Sequence, residues 1–178
     1  MTIYCFNVIF ILCQLIIFGK SVKKDKTRNK ASMVLFFSLL FVEMAFMGDG
    51  TGDIRVYYQN FYENYGELRD INISYVLNNI LKDSYIGYIL INLVIKELTG
   101  KFIYVLIFCG FITAFGYTKF IYKYSEITWL SMLILLCSGS YYAGFNILRQ
   151  IMAASLFCLC VIFLINGNFV KYTLSVIA

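Results

Sequence analysis

Six apolar runs restrict this chain more than any other feature of its sequence. They begin at Ile3 to Phe18 and Ala31 to Met47, resume at Phe102 to Tyr117, Ile127 to Tyr142 and Ile147 to Ile165, and start again at Tyr172. A helix needs about 17–25 residues to cross hydrocarbon, and the first five runs approach that length once their polar flanks are added. Hydrophobic residues make up 61% of the chain and charged ones 14%, against about 45–50% and about 25% in a soluble domain. The expected fold is therefore all-α: a polytopic transmembrane helix bundle of about five spans plus an incomplete sixth. Residues 1–178 are read as a single membrane domain.

The charges orient that bundle. The formal net charge is +5, which in a soluble protein would suggest nucleic acid. Six of the fifteen basic residues, however, fall in one joint between apolar runs, at Lys20, Lys23, Lys24, Lys26, Arg28 and Lys30. Such clustering marks a cytoplasmic loop, so no nucleic-acid partner is expected. The first run lacks a basic segment ahead of it and a small-x-small cleavage site after it, so it reads as a retained signal-anchor with its N-terminus outside. All six cysteines lie within apolar runs without a CxxC pair, and are read as small buried hydrophobes and not as disulfides or metal ligands. The chain has no histidine, which removes the commonest general base and metal ligand. Chemistry here falls to carboxylates, arginine, amides and tyrosines.

With the basic joint inside, residues 48–84 form an external loop carrying six acids and three bases. It opens on the glycine-rich turn "GDGTGD", in which Asp49 and Asp53 either shape the turn or act on a hydroxyl or cation. The turn is not a Walker motif, because no Gly-Lys-Ser/Thr follows it. Tyr57, Phe61 and Tyr65 then recur at i, i+4 and i+8, on one helical face. They form either an interfacial helix at headgroup level or a set of stacking surfaces for sugar rings. Asn72 to Ser74 match the N-glycosylation sequon, a weak signal. Residues 85–98, "YIGYILINLVIKEL", are short for a span and read as a re-entrant segment. If they do cross, Lys119 and Lys123 lie outside and Arg149 inside. If they do not, the sides reverse, and segment length favours this second path.

Arg149 is the only charged residue between Glu126 and Lys171. A charge at membrane depth is costly, so it is read either as snorkelling to the interface or as a functional group. Asn146, Arg149, Gln150 and Ala153 are spaced at three and four, which predicts a polar strip facing the bundle, and Ala153 and Ala154 would let a neighbour approach closely. The preceding "CSGSYYAGFN" suits a broken helix lining a cavity. A guanidinium there can clamp a phosphate through two parallel hydrogen bonds. Glu43 is either a near-interface carboxylate or a partner for Arg149.

Three stretches, "GTGDIRVYYQNF", "YIGYILINLVIKELTG" and "YYAGFNILRQIMAASL", resemble in order and spacing the marks of the EpsG family of Wzy-like exopolysaccharide or O-antigen polymerases. The matching positions are Gly50, Thr51, Asp53 and Tyr57, then Gly87 and Tyr88, then Asn146, Arg149, Gln150 and Ala153. Gly52 is inserted between Thr51 and Asp53, and Tyr85 and Ile86 stand where the family has an acid and a proline. The family pattern continues beyond this chain into a segment bearing a histidine, so the sequence reads as a fragment or a truncated product. The resemblance implies a multi-pass protein of a bacterial cytoplasmic membrane that joins oligosaccharides carried on an undecaprenyl-type lipid pyrophosphate. In that role Arg149 and Asp53 would be catalytic, and Tyr57, Phe61, Tyr65, Asn146 and Gln150 would bind substrate, with no metal or cofactor. Expected partners are membrane lipid, the lipid-linked oligosaccharide and other polysaccharide assembly proteins. A transporter or flippase subunit for lipid-linked sugars, or an inactive packing partner, is the alternative.

Overall fold

The computed structural model describes residues 2–18, 26–47, 52–64 and 86–177. Tyr65, the sequon at Asn72 to Ser74, Lys20, Lys23 and Lys24, and most of loop 48–84 lie outside the described residues. Every described element is a helix: α1 (Thr2–Phe18), α2 (Lys26–Ala45), α3 (Gly52–Gln59) running on into a π-helical turn (Asn60–Asn64), α4 (Ile86–Thr99), α5 (Ile103–Tyr124), α6 (Thr128–Cys137), α7 (Ser140–Ala143), α8 (Leu148–Ile165) and α9 (Phe169–Ile177). Among the described residues, α5 and α8 are the two helices long and apolar enough to cross a membrane, while α1 and α6 contain shorter apolar stretches. The expected run from Ile127 to Tyr142 is not one helix. It breaks at Gly139, whose φ of 72° is a left-handed conformation favouring glycine, and resumes as the single turn α7.

Contacts between helices fix which ends lie together. The stem of α2 packs along α5 in the opposite direction: Phe37 and Phe41 meet the Phe111 ring edge-on, and Gly110 backs onto Met44 and Ala45. α5 and α8 run the same way. Gly116 lies against Ser155, the Tyr124 hydroxyl donates to the Ile162 carbonyl at 3.4 Å, and Lys123 Nζ reaches Asn166 Oδ1 at 3.4 Å. α1 joins through Ser32 Oγ, which donates to Gln14 Oε1 at 2.8 Å, and through the Asn7 amide, which donates to the Tyr142 hydroxyl. α9 folds back on α8, with Phe157 and Tyr172 in ring contact. One end of the bundle therefore carries Lys30, Lys119 and Lys123, and the other carries Tyr57, Phe102, Tyr142 and Arg149. Both ends of α4 lie at this second end. Tyr88 near its start touches Tyr57, and Phe102 just beyond its finish packs on Tyr58 and Phe61.

Small residues set the closest helix approach, though not the expected ones. Ala153 and Ala154 are exposed, while Gly116 is where α5 and α8 meet. A Cβ at Gly116 would stand 2.5 Å from the Ser155 carbonyl oxygen, whereas one at Gly110 would stand 3.3 Å from Ala45 N and Met44 Cβ. Overfilling a packed contact costs about 1–3 kcal/mol. Gly116→Ala is thus expected to lower the thermal midpoint in detergent more than Gly110→Ala does. Equal midpoints would remove the Gly116–Ser155 contact as the tighter constraint.

The cysteines also correct a sequence expectation. All six are free, but Cys109 alone is buried, and Cys5, Cys13 and Cys137 are exposed. In this chain the outward faces are apolar as well, with Ile16 and Leu98 more than three-quarters exposed. An apolar neighbourhood in sequence does not translate into burial here.

Candidate functional site

The break between α6 and α8 builds the site. Tyr141 on α7 is fully buried and its hydroxyl donates to the Leu40 carbonyl on α2, while Tyr142 accepts the Asn7 amide of α1. α7 is thereby pinned to both N-terminal helices. Gly144 then lets the turn sit on α8, since a Cβ there would meet Ile151 Cγ2 at 2.6 Å. α8 starts at Leu148, which places Arg149 in its first turn.

The guanidinium is held by two aromatic rings from distant parts of the chain. Arg149 Cζ lies 5.5 Å from the Tyr57 ring centroid on α3 and 5.9 Å from that of Tyr88 on α4. The two tyrosines meet each other edge-on, with centroids 5.8 Å apart, and both are buried. Cations are attracted to aromatic faces at such distances, by about 0.5–1 kcal/mol at exposed sites and about 2 kcal/mol or more when desolvated. Arg149 is half-buried, so part of its surface remains open. A guanidinium is a planar donor of the kind that binds phosphate through two parallel hydrogen bonds.

Other expected site residues are placed less uniformly. Asp53 is exposed in the first turn of α3, four residues before Tyr57 and so on the same helical face. Asn146 and Gln150 are exposed, but Asn146 lies in the turn before α8, so the expected helical pairing with Gln150 does not form. The polar strip does not face the bundle interior; within it only Arg149 is partly covered. Phe61 is fully buried against Phe102, with ring centroids 5.6 Å apart, and is occupied by the core. The exposed rings are instead its neighbours Tyr58 and Tyr62, 4.6 Å apart, and the Tyr62 hydroxyl accepts the Phe102 N–H at 3.1 Å. Their i, i+4 spacing was as visible in the sequence as that of Tyr57 and Phe61. Tyr88 is a site residue that sequence reasoning misses, although it lies in the second of the three stretches. Glu43 is half-buried on α2 beside Asn7, whose side chain hydrogen-bonds its carboxyl.

Tyr57, Tyr88 and Arg149 come one from each of the three stretches that carry the family resemblance, and the fold brings all three into contact. A model of the EpsG family matches residues 32–178. The chain belongs to the EpsG family. No curated protein and no solved structure matches it. Membership makes it a polysaccharide-polymerase-like membrane protein, and the matched region takes in every residue of the tyrosine–arginine cluster.

Proposed function

We propose that this EpsG-family protein joins lipid-pyrophosphate-linked oligosaccharide units at the outer face of the membrane. The observation that carries the reading is the Arg149 guanidinium held against the rings of Tyr57 and Tyr88, at the bundle end opposite Lys30 and Lys119. Lysine-rich joints stay cytoplasmic, so this chain path supports an outer location for Arg149. Because α4 begins and finishes at the same end, the path also supports a non-crossing segment over residues 85–98.

In the proposed reaction a hydroxyl of one oligosaccharide attacks the anomeric carbon of the other. The new C–O bond forms as the C–O bond to the lipid pyrophosphate breaks, the electron pair leaves with the pyrophosphate, and the attacking hydroxyl gives up its proton. Arg149 stabilises the charge developing on the departing pyrophosphate, and its positioning by two rings means that little reorganisation is needed as the bond breaks. Asp53 accepts the proton or orients the acceptor. The exposed Tyr58 and Tyr62 rings offer faces to the sugar chain, while Phe61 supports them from the core.

Accessibility tests the sidedness directly. With Arg149→Cys in an otherwise cysteine-free chain, a membrane-impermeant thiol reagent applied to intact cells is expected to label the position. Labelling only after permeabilisation would place Arg149 on the cytoplasmic side and overturn the outer-face reading.

A further inference from the structure

A second built feature lies at the opposite end of the bundle, between α2 and α5. There a groove of about 380 Å³ runs between Lys30, Met33 and Phe37 on one helix and Phe115, Thr118 and Lys119 on the other. Its walls are apolar and its two cations stand together at the lysine-rich end. Lys119 Nζ is held 5.0 Å from the Phe115 ring centroid, which keeps the ammonium at the groove.

Thr118 closes the floor of the groove: it is only 9% exposed, and its hydroxyl oxygen, like that of Thr113 on the same helix, is enclosed without a hydrogen-bond partner among the described residues.

We propose that this groove holds an anionic phospholipid of the inner leaflet, its phosphate at Lys30 and Lys119 and one acyl chain along Met33, Phe37 and Phe115. An apolar channel with cations at one end matches an amphiphile with one charged head. The sign of the charge selects a headgroup without its own cation, since a choline or ethanolamine nitrogen would face the lysines. The cluster of basic residues from Lys20 to Lys30 adjoins the same end in sequence, and such juxtamembrane clusters attract anionic lipid. The inference rests on the membrane placement of the chain and not on the polymerase reading, so either can fail alone.

Native mass spectrometry of the full chain, released from detergent with phosphatidylglycerol and phosphatidylcholine supplied in equal amounts, reads the preference. Wild type is expected to retain one phosphatidylglycerol roughly thirtyfold more often than phosphatidylcholine, as two surface lysines predict. The paired change Lys30→Gln and Lys119→Gln is expected to abolish the preference. The control pair Lys96→Gln and Lys101→Gln, at the end of α4, removes the same charge and is expected to leave it intact. Equal retention of the two lipids in wild type would overturn the proposal, as would loss of preference in the control pair, which would mean a diffuse charge effect. Displacement of phosphatidylglycerol by an equimolar polyprenyl phosphate would overturn it in favour of a different occupant.

Discussion

Arg149→Ala is expected to lower polymer formation by about 10²–10³-fold, the range found when one preorganised donor to a developing negative charge is removed. The measurement is chain growth and release of lipid pyrophosphate by membranes supplied with a lipid-linked oligosaccharide. The loss should not come from unfolding. The guanidinium contributes to stability chiefly through its two ring contacts, about 0.5–1 kcal/mol each at a half-open site, and Tyr57 and Tyr88 still pack against each other when it is gone. Arg149→Lys separates charge from shape. The ammonium keeps the charge but lacks the planar fork that packs on the rings and binds phosphate in two places, so it should recover part of the activity and not all. An alanine variant that is as active as wild type would remove Arg149 as the pyrophosphate clamp. If wild-type protein instead moves lipid-linked sugar across the membrane without releasing pyrophosphate, the flippase alternative replaces polymerisation.

Individual helices of the bundle were legible in the sequence where an apolar run marks them. Runs at Ile3 to Phe18 and Ile147 to Ile165 became α1 and α8 nearly residue for residue. The run from Ile127 to Tyr142 misled, because hydropathy does not register a break made of Gly139 and a buried turn whose tyrosines are themselves apolar enough to pass as a span. Which face of each helix points inward was hardly legible at all. In a soluble helix the polar residues mark the outside, but here Phe6, Ile16 and Phe157 are outward and exposed while Asn7, Gln14 and Ser155 are buried. That inversion hid the buried polar pairs Asn7–Tyr142 and Gln14–Ser32 from any reading based on apolar stripes.

The site was legible in its anchors and not in its assembly. Arg149 stood out because it is isolated in a long apolar stretch, and Tyr57 because it begins an aromatic stripe. Nothing local links either to Tyr88, since the three residues are brought together by the path of α4 and the break before α8. Phe61 shows the opposite error. Its spacing puts it on the same face as Tyr57, and that face is the buried one: Ile54, Tyr57 and Phe61 turn into the core while Tyr58 and Tyr62 remain outside. An aromatic stripe at helical spacing marks a face without saying which way it points.

Asp53→Asn carries the second large expected effect, a fall in polymer formation of about 10²-fold or more, the usual contribution of a positioned general base. The substitution is chosen because it isolates the proton-accepting charge. Asparagine has nearly the same volume and still offers a side-chain oxygen to the backbone at the start of α3, and losing a carboxylate near a helix N-terminus costs only about 0.3–1 kcal/mol. Since Asp53 is exposed in that first turn, no core contact is disturbed. A base acts on the hydroxyl that attacks, whereas Arg149 acts on the group that leaves, so the two variants should fail differently. Asp53→Asn should be partly relieved by Asp53→Glu, which restores the carboxylate on a longer stem, and its residual pyrophosphate release should fall in step with chain growth. If Asp53→Asn polymerises at the wild-type rate while Arg149→Ala does not, the acceptor needs no carboxylate from this turn, and the reaction is driven from the leaving-group side alone.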